Sequence, residues 1–149
     1  MIEDQGKHMT TENAPFTMTI DIRFADTDAN GHVFFANYQT FFDTAFLKYL
    51  DHIGCSFKWF IDNNMNFYYV EAASQFKSAL TYGDEIAVSV NISKFGRTSF
   101  TIAFEGKEAT SGRLAATGHI VAVVVDKTSE TPVEIPEAFK TAVGTVQTP

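Results

Sequence analysis

One aromatic stripe of helical period constrains the fold of this chain more than any other feature. Apolar side chains recur at i, i+3, i+4, i+7, i+8, i+11 and i+15, the spacing of one face of an α-helix. The stripe consists of Tyr38, Phe41, Phe42, Ala45, Phe46, Tyr49 and Ile53. Gly54 follows at once and is typical of a helix C-terminus. The pattern predicts a long core helix whose aromatic face must be covered by another layer.

Strand patterns on both sides of this helix supply that layer. Thr17–Phe24 alternates strictly, with Met18, Ile20, Ile22 and Phe24 on one face. After the helix, alternating or apolar segments separated by Gly-containing turns predict four more strands. These strands are Phe67–Leu80, Ile86–Ile92, Phe100–Phe104 and Arg113–Asp126. One face of the first of them consists of Val70, Ala72, Ser74, Phe76, Ser78 and Leu80. Short turns between successive strands favour an antiparallel meander. We therefore predict an α+β domain in which an antiparallel sheet is wrapped around one long central helix.

The remaining segments add little to this core. Ser56–Ile61 and Pro136–Val143 are predicted as short helices. Residues 16–149 read as a single domain with no internal repeat. Residues 1–15 are polar and unpatterned and predict a disordered tail. The His8-Met9 pair resembles a cloning junction, which makes Met9 a candidate for the natural start and residues 1–8 candidates for a non-native addition.

Composition excludes several classes of function. The chain of 149 residues carries 11 basic and 18 acidic residues, a net charge of −7, which argues against a nucleic-acid partner because phosphate neutralisation needs clustered Lys and Arg. The single Cys55 cannot form an internal disulfide, and a reducing, cytoplasmic setting fits best. The longest apolar run, Ile120–Val125, is far shorter than a membrane-spanning helix requires, so no membrane partner is expected.

The segment between the first strand and the helix carries the most specific chemistry. Asp28 lies in a polar loop a few residues before the helix start, where unpaired main-chain N–H groups stabilise an anionic oxygen. A carboxylate beside such groups is consistent with a hydrolase site. The structural alternative is that Asp26, Asp28 or Asn30 simply caps the helix.

Other candidate sites have weaker support. Asp26-Thr27-Asp28 spells D-x-D, but no third acidic ligand is near in sequence, so we expect no metal. Cys55 has only His52 nearby and is a weak candidate nucleophile. His32 at the helix start is expected to be neutral, because a cation is unfavourable there, and to order the Asp28 loop through hydrogen bonds.

Eleven consecutive residues in this segment carry a resemblance to a known family. Arg23–Val33 reads RFADTDANGHV and is followed by Asn37-Tyr38 and the aromatic helix. This pattern resembles the hot-dog-fold acyl-CoA thioesterases of the 4-hydroxybenzoyl-CoA thioesterase type. The resemblance extends over Thr17–Asp126, and its looser elements are Phe76, Tyr82-Gly83-Asp84, Gly96-Arg97-Thr98-Ser99 and Ala116-Thr117-Gly118.

The resemblance implies hydrolysis of an acyl-CoA thioester without a cofactor. Asp28 would be the catalytic carboxylate, as nucleophile or general base, and the main-chain N–H of Phe35 would polarise the thioester oxygen. Asp43 on the helix is a minor catalytic alternative, since another branch of thioesterases uses a helix carboxylate. The substrate-binding residues implied are Tyr38, Lys94, Arg97, Thr98 and Ser99. Lys94 and Arg97 would hold the CoA phosphates, and in the family such basic groups often come from a neighbouring subunit. The partners expected are the acyl-CoA substrate and further copies of the chain in a homodimer or homotetramer.

Two alternatives to hydrolysis remain at this point. The first is a non-catalytic module of the same fold that binds acyl-CoA or fatty acyl groups, for which loss of the Asp28 carboxylate would be diagnostic. The second is a dehydratase of the same fold, which favours a His with a helix carboxylate. Some relatives carry a His where this chain has Phe35, so a second catalytic His is not expected here.

Overall fold

The computed structural model describes residues 15–147 of the chain. The predicted tail, residues 1–15, lies outside the described residues except for Pro15. In chain order the elements are β1 (Phe16–Asp21), a 3-10 turn (Phe24–Asp26), α1 (Asn37–Ile53), α2 (Phe57–Asp62), β2 (Met65–Phe76), β3 (Glu85–Phe95), β4 (Ser99–Glu108), β5 (Leu114–Asp126) and α3 (Glu137–Val146). None of the helices in residues 15–147 is both long and apolar enough to cross a bilayer.

A five-stranded antiparallel sheet in the order β1-β3-β4-β5-β2 covers α1. The stripe predicted from the sequence is the buried face of α1, and six of its seven members are at most 5% exposed. Leu50, which lies outside the predicted stripe, is fully buried as well. The predicted α+β architecture, a sheet around one long helix, is confirmed.

Two glycines let the sheet approach α1 closely. A Cβ atom at Gly118 would lie 2.7 Å from the Phe42 ring and 2.8 Å from the Ala73 carbonyl oxygen, and one at Gly106 would lie 2.7 Å from Ile86. The contact at Gly118 involves a backbone oxygen and an aromatic ring and is tighter than a Cβ atom tolerates, so glycine is required there; at Gly106 the close atom is the movable end of the Ile86 side chain.

The first strand ends earlier than its alternation predicts. Ile22 is buried, but Phe24 is 76% exposed and belongs to the 3-10 turn, so its predicted place on the core face was wrong. The cause is the side chain of Asp26, which accepts a hydrogen bond from the main-chain N–H of Arg23 at 2.8 Å and turns the chain out of the sheet. Phe24 instead packs edge-on against Tyr82.

The second strand also differs from its prediction, because it contains a β-bulge. The register with β5 shifts by one residue between Tyr69 and Glu71, so that Phe67 faces the core before the bulge and Ser74 faces α1 after it. The predicted inward face, which included Val70, therefore holds only for the second half of the strand. The strand ends at Phe76 rather than at Leu80, and Val70 is 62% exposed.

β2 is one of the two edges of the sheet within the described chain, and it is twelve residues long. Large apolar side chains are exposed on it or beside it on neighbouring elements; they are Phe35, Leu47, Phe57, Tyr68, Tyr69, Val70 and Phe76. A long apolar edge of this kind is a site for pairing with another strand.

Candidate active site

The segment from Asp26 to Phe34 forms a small hairpin that presents Asp28. Thr27 and Val33 pair across it, and the N–H of Asp28 donates to the carbonyl of His32 at 2.9 Å. Gly31 adopts a φ of 80°, a left-handed conformation that favours glycine in this turn. The Asp28 side chain is exposed, and its Oδ1 atom accepts the N–H of Asn30 at 2.9 Å. One oxygen is thus bonded locally while the carboxylate faces solvent.

The two carboxylates of the D-x-D sequence have different surroundings. Asp26 is 3% exposed and accepts three hydrogen bonds from Arg23, of which the shortest, from Nη2, is 2.7 Å. The hydrogen bonds and charge of Arg23 hold the pKa of Asp26 below its usual value, against the opposing effect of burial. Asp26 is therefore a structural anchor. No group of three His, Cys, Asp or Glu side chains suited to a metal occurs within residues 15–147.

The start of α1 leaves two main-chain donors available near this hairpin. The N–H groups of Phe34, Asn37, Tyr38 and Gln39 all have backbone acceptors. Those of Phe35 and Ala36 have no acceptor among the described residues. These are the groups that an anionic oxygen needs at a helix N-terminus, and Phe35 is the residue to which the family resemblance assigned this role.

A cavity of about 350 Å³ lies beside these donors. Phe76 forms one wall, with its ring centroid 5.4 Å from that of Tyr38 and 6.2 Å from that of Phe35. Tyr38 is buried, and burial raises the pKa of its hydroxyl. The cavity is lined by His32, Val33, Phe35, Tyr38, Phe76, Lys77, Ser78 and Ala79. The structure thus brings together the hairpin, the helix start and Tyr38 around one mainly apolar space.

His32 contributes to the hairpin through its backbone. Its carbonyl accepts the N–H of Asp28, and its main chain pairs with Thr81. The imidazole is exposed, and it has no hydrogen-bond partner among the described residues. The sequence predicted that a neutral imidazole orders the Asp28 loop through hydrogen bonds, whereas the hydrogen bond seen here comes from the main chain of His32.

Asp43 lies one and a half turns into α1 and faces β2. The hydroxyl of Tyr69 donates to its Oδ1 at 2.5 Å. Part of the ring is exposed, but desolvation of the hydroxyl and the Asp43 carboxylate beside it together raise the pKa of Tyr69 above its ordinary value, so the phenol stays protonated. A second cavity of about 470 Å³ opens here and is lined by Asp43, Leu47, Asp51, Phe57, Phe67, Tyr68 and Tyr69.

The remaining predicted substrate-binding residues lie at the other end of the sheet. Lys94 and Arg97 are exposed around the turn between β3 and β4, and Thr98 and Ser99 follow them. Asp28 adjoins the opposite end of the sheet, where β3 begins. The length of β3, eleven residues, therefore separates Asp28 from Lys94 and Arg97 by roughly 30 Å. A single chain therefore does not bring these residues to Asp28.

Cys55 has no role in this constellation. It is buried behind α1, and burial raises the pKa of its thiol, which disfavours the nucleophilic thiolate.

The sequence did not predict the contacts that three residues make in shaping the site. Arg23 and Asp26 form an ion pair at i,i+3 spacing, and this spacing of opposite charges is visible in the sequence. Asn37, the first residue of α1, donates from its side chain to the Asp26 carbonyl. Its importance depends on how the hairpin folds back, which no local pattern reveals.

Comparison with known proteins agrees with this architecture. Residues 22–143 match the model of the thioesterase-like superfamily. The chain is 32% identical over 124 residues to a 1,4-dihydroxy-2-naphthoyl-CoA hydrolase of Nostoc punctiforme, with 82% of each protein covered. Its structure is similar to that of a gentisyl-coenzyme A thioesterase, with a TM-score of 0.75 and 29% identity over 87% of this chain and 99% of that one.

A further solved structure shares the fold at lower identity. It is a 1,4-dihydroxy-2-naphthoyl-CoA thioesterase from Synechocystis, which matches with a TM-score of 0.82 and 23% identity over 91% of this chain and all of the other. The family match spans most of the chain and includes the hairpin, α1 and the whole sheet except β1. The chain therefore belongs to the thioesterase-like superfamily and is an enzyme of the hot-dog fold that hydrolyses thioesters.

Proposed function

We propose that this enzyme hydrolyses an acyl-CoA thioester with Asp28 as its catalytic carboxylate. The observation that carries the proposal is the exposed Asp28 side chain on a hairpin that adjoins the N–H groups of Phe35 and Ala36, which have no acceptor within residues 15–147. These N–H groups would donate hydrogen bonds to the thioester oxygen and stabilise the negative charge that develops on it.

Two courses are open to the carboxylate. As a nucleophile, Asp28 attacks the thioester carbonyl, CoA leaves as its thiolate, and water then hydrolyses the acyl-enzyme anhydride to the free acid. As a general base, Asp28 takes a proton from a water molecule that attacks the carbonyl directly. In both courses the products are the carboxylic acid and CoA, and no cofactor takes part.

The acyl group we propose is aromatic and bears a hydroxyl. The cavity between α1 and β2 has mainly aromatic walls, and the Tyr69–Asp43 pair supplies a hydrogen-bonding group within them. Asp43 lies about 9 Å along the helix from Asn37, a distance that a ring system can span. Two of the relatives are named for 1,4-dihydroxy-2-naphthoyl-CoA and gentisyl-CoA.

We further propose that the CoA phosphates are held by Lys94 and Arg97 of a neighbouring copy, with Thr98 and Ser99 beside them. The separation of these residues from Asp28 within one chain supports a contribution from a second subunit. The exposed apolar edge of β2 supports a homodimer or a larger homo-oligomer. A structural neighbour at 21% identity was solved in complex with CoA.

The test is a thiol-release assay over a panel of acyl-CoA thioesters. The panel contains hydroxylated aromatic, unsubstituted aromatic, short and long fatty acyl groups. We expect turnover to be fastest with a hydroxylated aromatic acyl group, and Tyr69→Phe to reduce that preference over benzoyl-CoA by about tenfold. Binding without turnover of any thioester in the panel would favour the non-catalytic acyl-binding alternative.

A further inference from the structure

The carbonyl oxygen of Asp26 joins the hairpin to the central helix. It accepts two hydrogen bonds, one from the main-chain N–H of Phe34 and one from the side-chain amide of Asn37, each at 2.9 Å. The first bond closes the hairpin at its base, and the second ties that base to the first residue of α1. One oxygen atom thus connects the segment that carries Asp28 with the helix start.

Further hydrogen bonds and an ion pair anchor the hairpin on both sides of that oxygen. The Asp26 carboxylate is held by Arg23, and the N–H of Val33 donates to the Leu80 carbonyl at 2.9 Å. Between these anchors, the N–H of Asp28 donates to His32 across the hairpin. A displacement of the Asp26 carbonyl would consequently move Asp28 together with the hairpin, rather than being absorbed in a loose loop.

We propose that Asn37 is a positioning residue for the reaction. Through the Asp26 carbonyl, it fixes the distance and angle between the Asp28 carboxylate and the free N–H groups of Phe35 and Ala36. The inference rests on the proposed function, because it concerns the geometry of the carboxylate and the oxyanion donors. Catalysis depends steeply on such geometry: a misplacement of about 1 Å can cost about a hundredfold in rate.

The chemistry of this contact requires a donor of a particular length. An aspartate at position 37 would have the same shape as Asn37, but its ionised carboxylate could only accept hydrogen bonds and would repel the Asp26 carbonyl. Once protonated, the introduced carboxyl group could donate the missing bond. Asn37→Asp therefore differs from Asn37→Ala in a way that depends on pH.

The experiment compares Asn37→Ala and Asn37→Asp with the control Asn63→Ala. Asn63 makes a chemically matching bond, from its side-chain amide to the Trp59 carbonyl at 2.8 Å, at the C-terminus of α2. We expect Asn37→Ala to lower kcat by about 10- to 100-fold while KM stays within about threefold. For Asn63→Ala, both kcat and KM should stay within about twofold of the values for the unmodified enzyme. All assays are run at a temperature where circular dichroism finds each variant fully folded.

The pH dependence separates positioning from general destabilisation. The activity of Asn37→Asp, divided by that of the unmodified enzyme at the same pH, should rise severalfold as the pH falls from 8 to about 5, since the introduced carboxyl becomes a donor. The corresponding ratio for Asn37→Ala should stay flat. A flat ratio for both variants, or a kcat for Asn37→Ala within about twofold of the original, would overturn the proposal.

Amide hydrogen exchange gives a readout that is independent of activity. In Asn37→Ala, the N–H groups of Asp28, Gly31 and Phe34 should exchange faster, while those of β3 and β4 should not change. If the unmodified enzyme hydrolyses thioesters and these exchange rates are unaltered, the positioning role fails and the proposed function stands. If exchange accelerates but no acyl-CoA is hydrolysed, Asn37 holds the hairpin, and the proposed function and the catalytic role fail together.

Discussion

The rings of Phe42 and Phe104 stack in parallel across the core, with centroids 4.7 Å apart and planes 8° from parallel. Phe42 belongs to α1 and Phe104 to β4, so this contact sets how closely the sheet approaches the helix. Gly118 on the neighbouring strand faces the same ring, and its missing side chain is the space that the ring occupies.

Gly118→Ala should therefore destabilise the fold. The added methyl group would meet the Phe42 ring and the Ala73 carbonyl below 3 Å, and we expect the free energy of unfolding in urea to fall by about 1–3 kcal/mol. Gly144→Ala is the matched control, because a Cβ there has open space within a helix and should be neutral or slightly stabilising. Equal changes in the free energy of unfolding for the two variants would show that the close approach at Gly118 does not require glycine.

Asp28→Asn tests the catalytic carboxylate. The amide keeps the shape of the side chain and can still accept the N–H of Asn30, but it cannot act as nucleophile or base. We expect kcat to fall by at least about 100-fold with an unchanged melting temperature. Asp43→Asn is the comparison and should mainly alter the preference among acyl groups. Near-normal turnover in Asp28→Asn, with loss in Asp43→Asn, would move the catalytic role to the helix.

Replacing Lys94 and Arg97 together by Ala should raise KM for acyl-CoA and leave kcat nearly unchanged. Phosphate contacts far from the carbonyl are present in the ground and transition states alike. The effect should shrink at high salt, which screens exposed charges. Lys58 and Lys107, changed together to Ala, form the control with the same loss of charge. A KM that is unaffected across salt concentrations would place the phosphates elsewhere or indicate a different acyl carrier.

The free edge of β2 should be covered by a second copy in solution. If two copies pair their β2 strands antiparallel about a two-fold axis, the middle of one strand lies opposite the middle of the other. Val70 and Glu71 are central in β2. We expect light scattering at micromolar concentration to give the mass of a dimer or tetramer. Val70→Glu should shift it towards the monomer, because the new carboxylate would lie opposite Glu71 of the second copy and the two negative charges repel. Ser93→Glu, at an exposed position on β3, is the control. A monomeric mass for the unmodified chain would contradict this prediction.

The Arg23–Asp26 pair should make stability depend on pH. Arg23 lowers the pKa of Asp26 in the folded protein, so the pair stabilises the fold above the unfolded pKa, near 4, and this contribution is lost as the pH falls through the lowered value. Asp26→Asn should cost about 1–3 kcal/mol in the free energy of unfolding at pH 7, and less at pH 3. Asp62→Asn, which breaks the exposed Lys58–Asp62 pair, should cost at most about 0.5 kcal/mol. Equal costs at pH 7 and pH 3 would argue against this role of Asp26.

The sequence predicted those parts of the fold that repeat with a regular period. The stripe from Tyr38 to Ile53 identified the core helix, and the alternation in β3 and β4 identified buried residues such as Val88 and Ile102. The period alone could not reveal where a side-chain hydrogen bond to the main chain ends an element. Asp26 ends the alternation after β1, and Phe24, an ideal core residue by pattern, lies outside as a result.

The candidate site was predictable only in part, for a related reason. Asp28 stood out because a polar loop meets a helix start, which is a local signal, and the family resemblance then implied the N–H of Phe35. The cavity beside them depends on Phe76, and the second cavity depends on Tyr69, both from a strand far along the chain. Their placement follows from the pairing of β2 with β5, and a single sequence contains no direct signal for that pairing.

The bulge at Val70 has a consequence for insertions and deletions. Before it, odd-numbered side chains of β2 such as Phe67 and Tyr69 line the aromatic cavity; after it, even-numbered ones such as Ser74 and Phe76 face α1. Removing Val70 while β2 keeps its pairing would leave Phe76 beside Tyr38, because the strand would then alternate regularly against the same partners on β5. Removing a residue after the bulge, such as Ala73, would instead turn Phe76 to the opposite face and bring Lys77 into its place. β2 can therefore lose one residue at the bulge and still line both cavities, but it cannot do so in its second half.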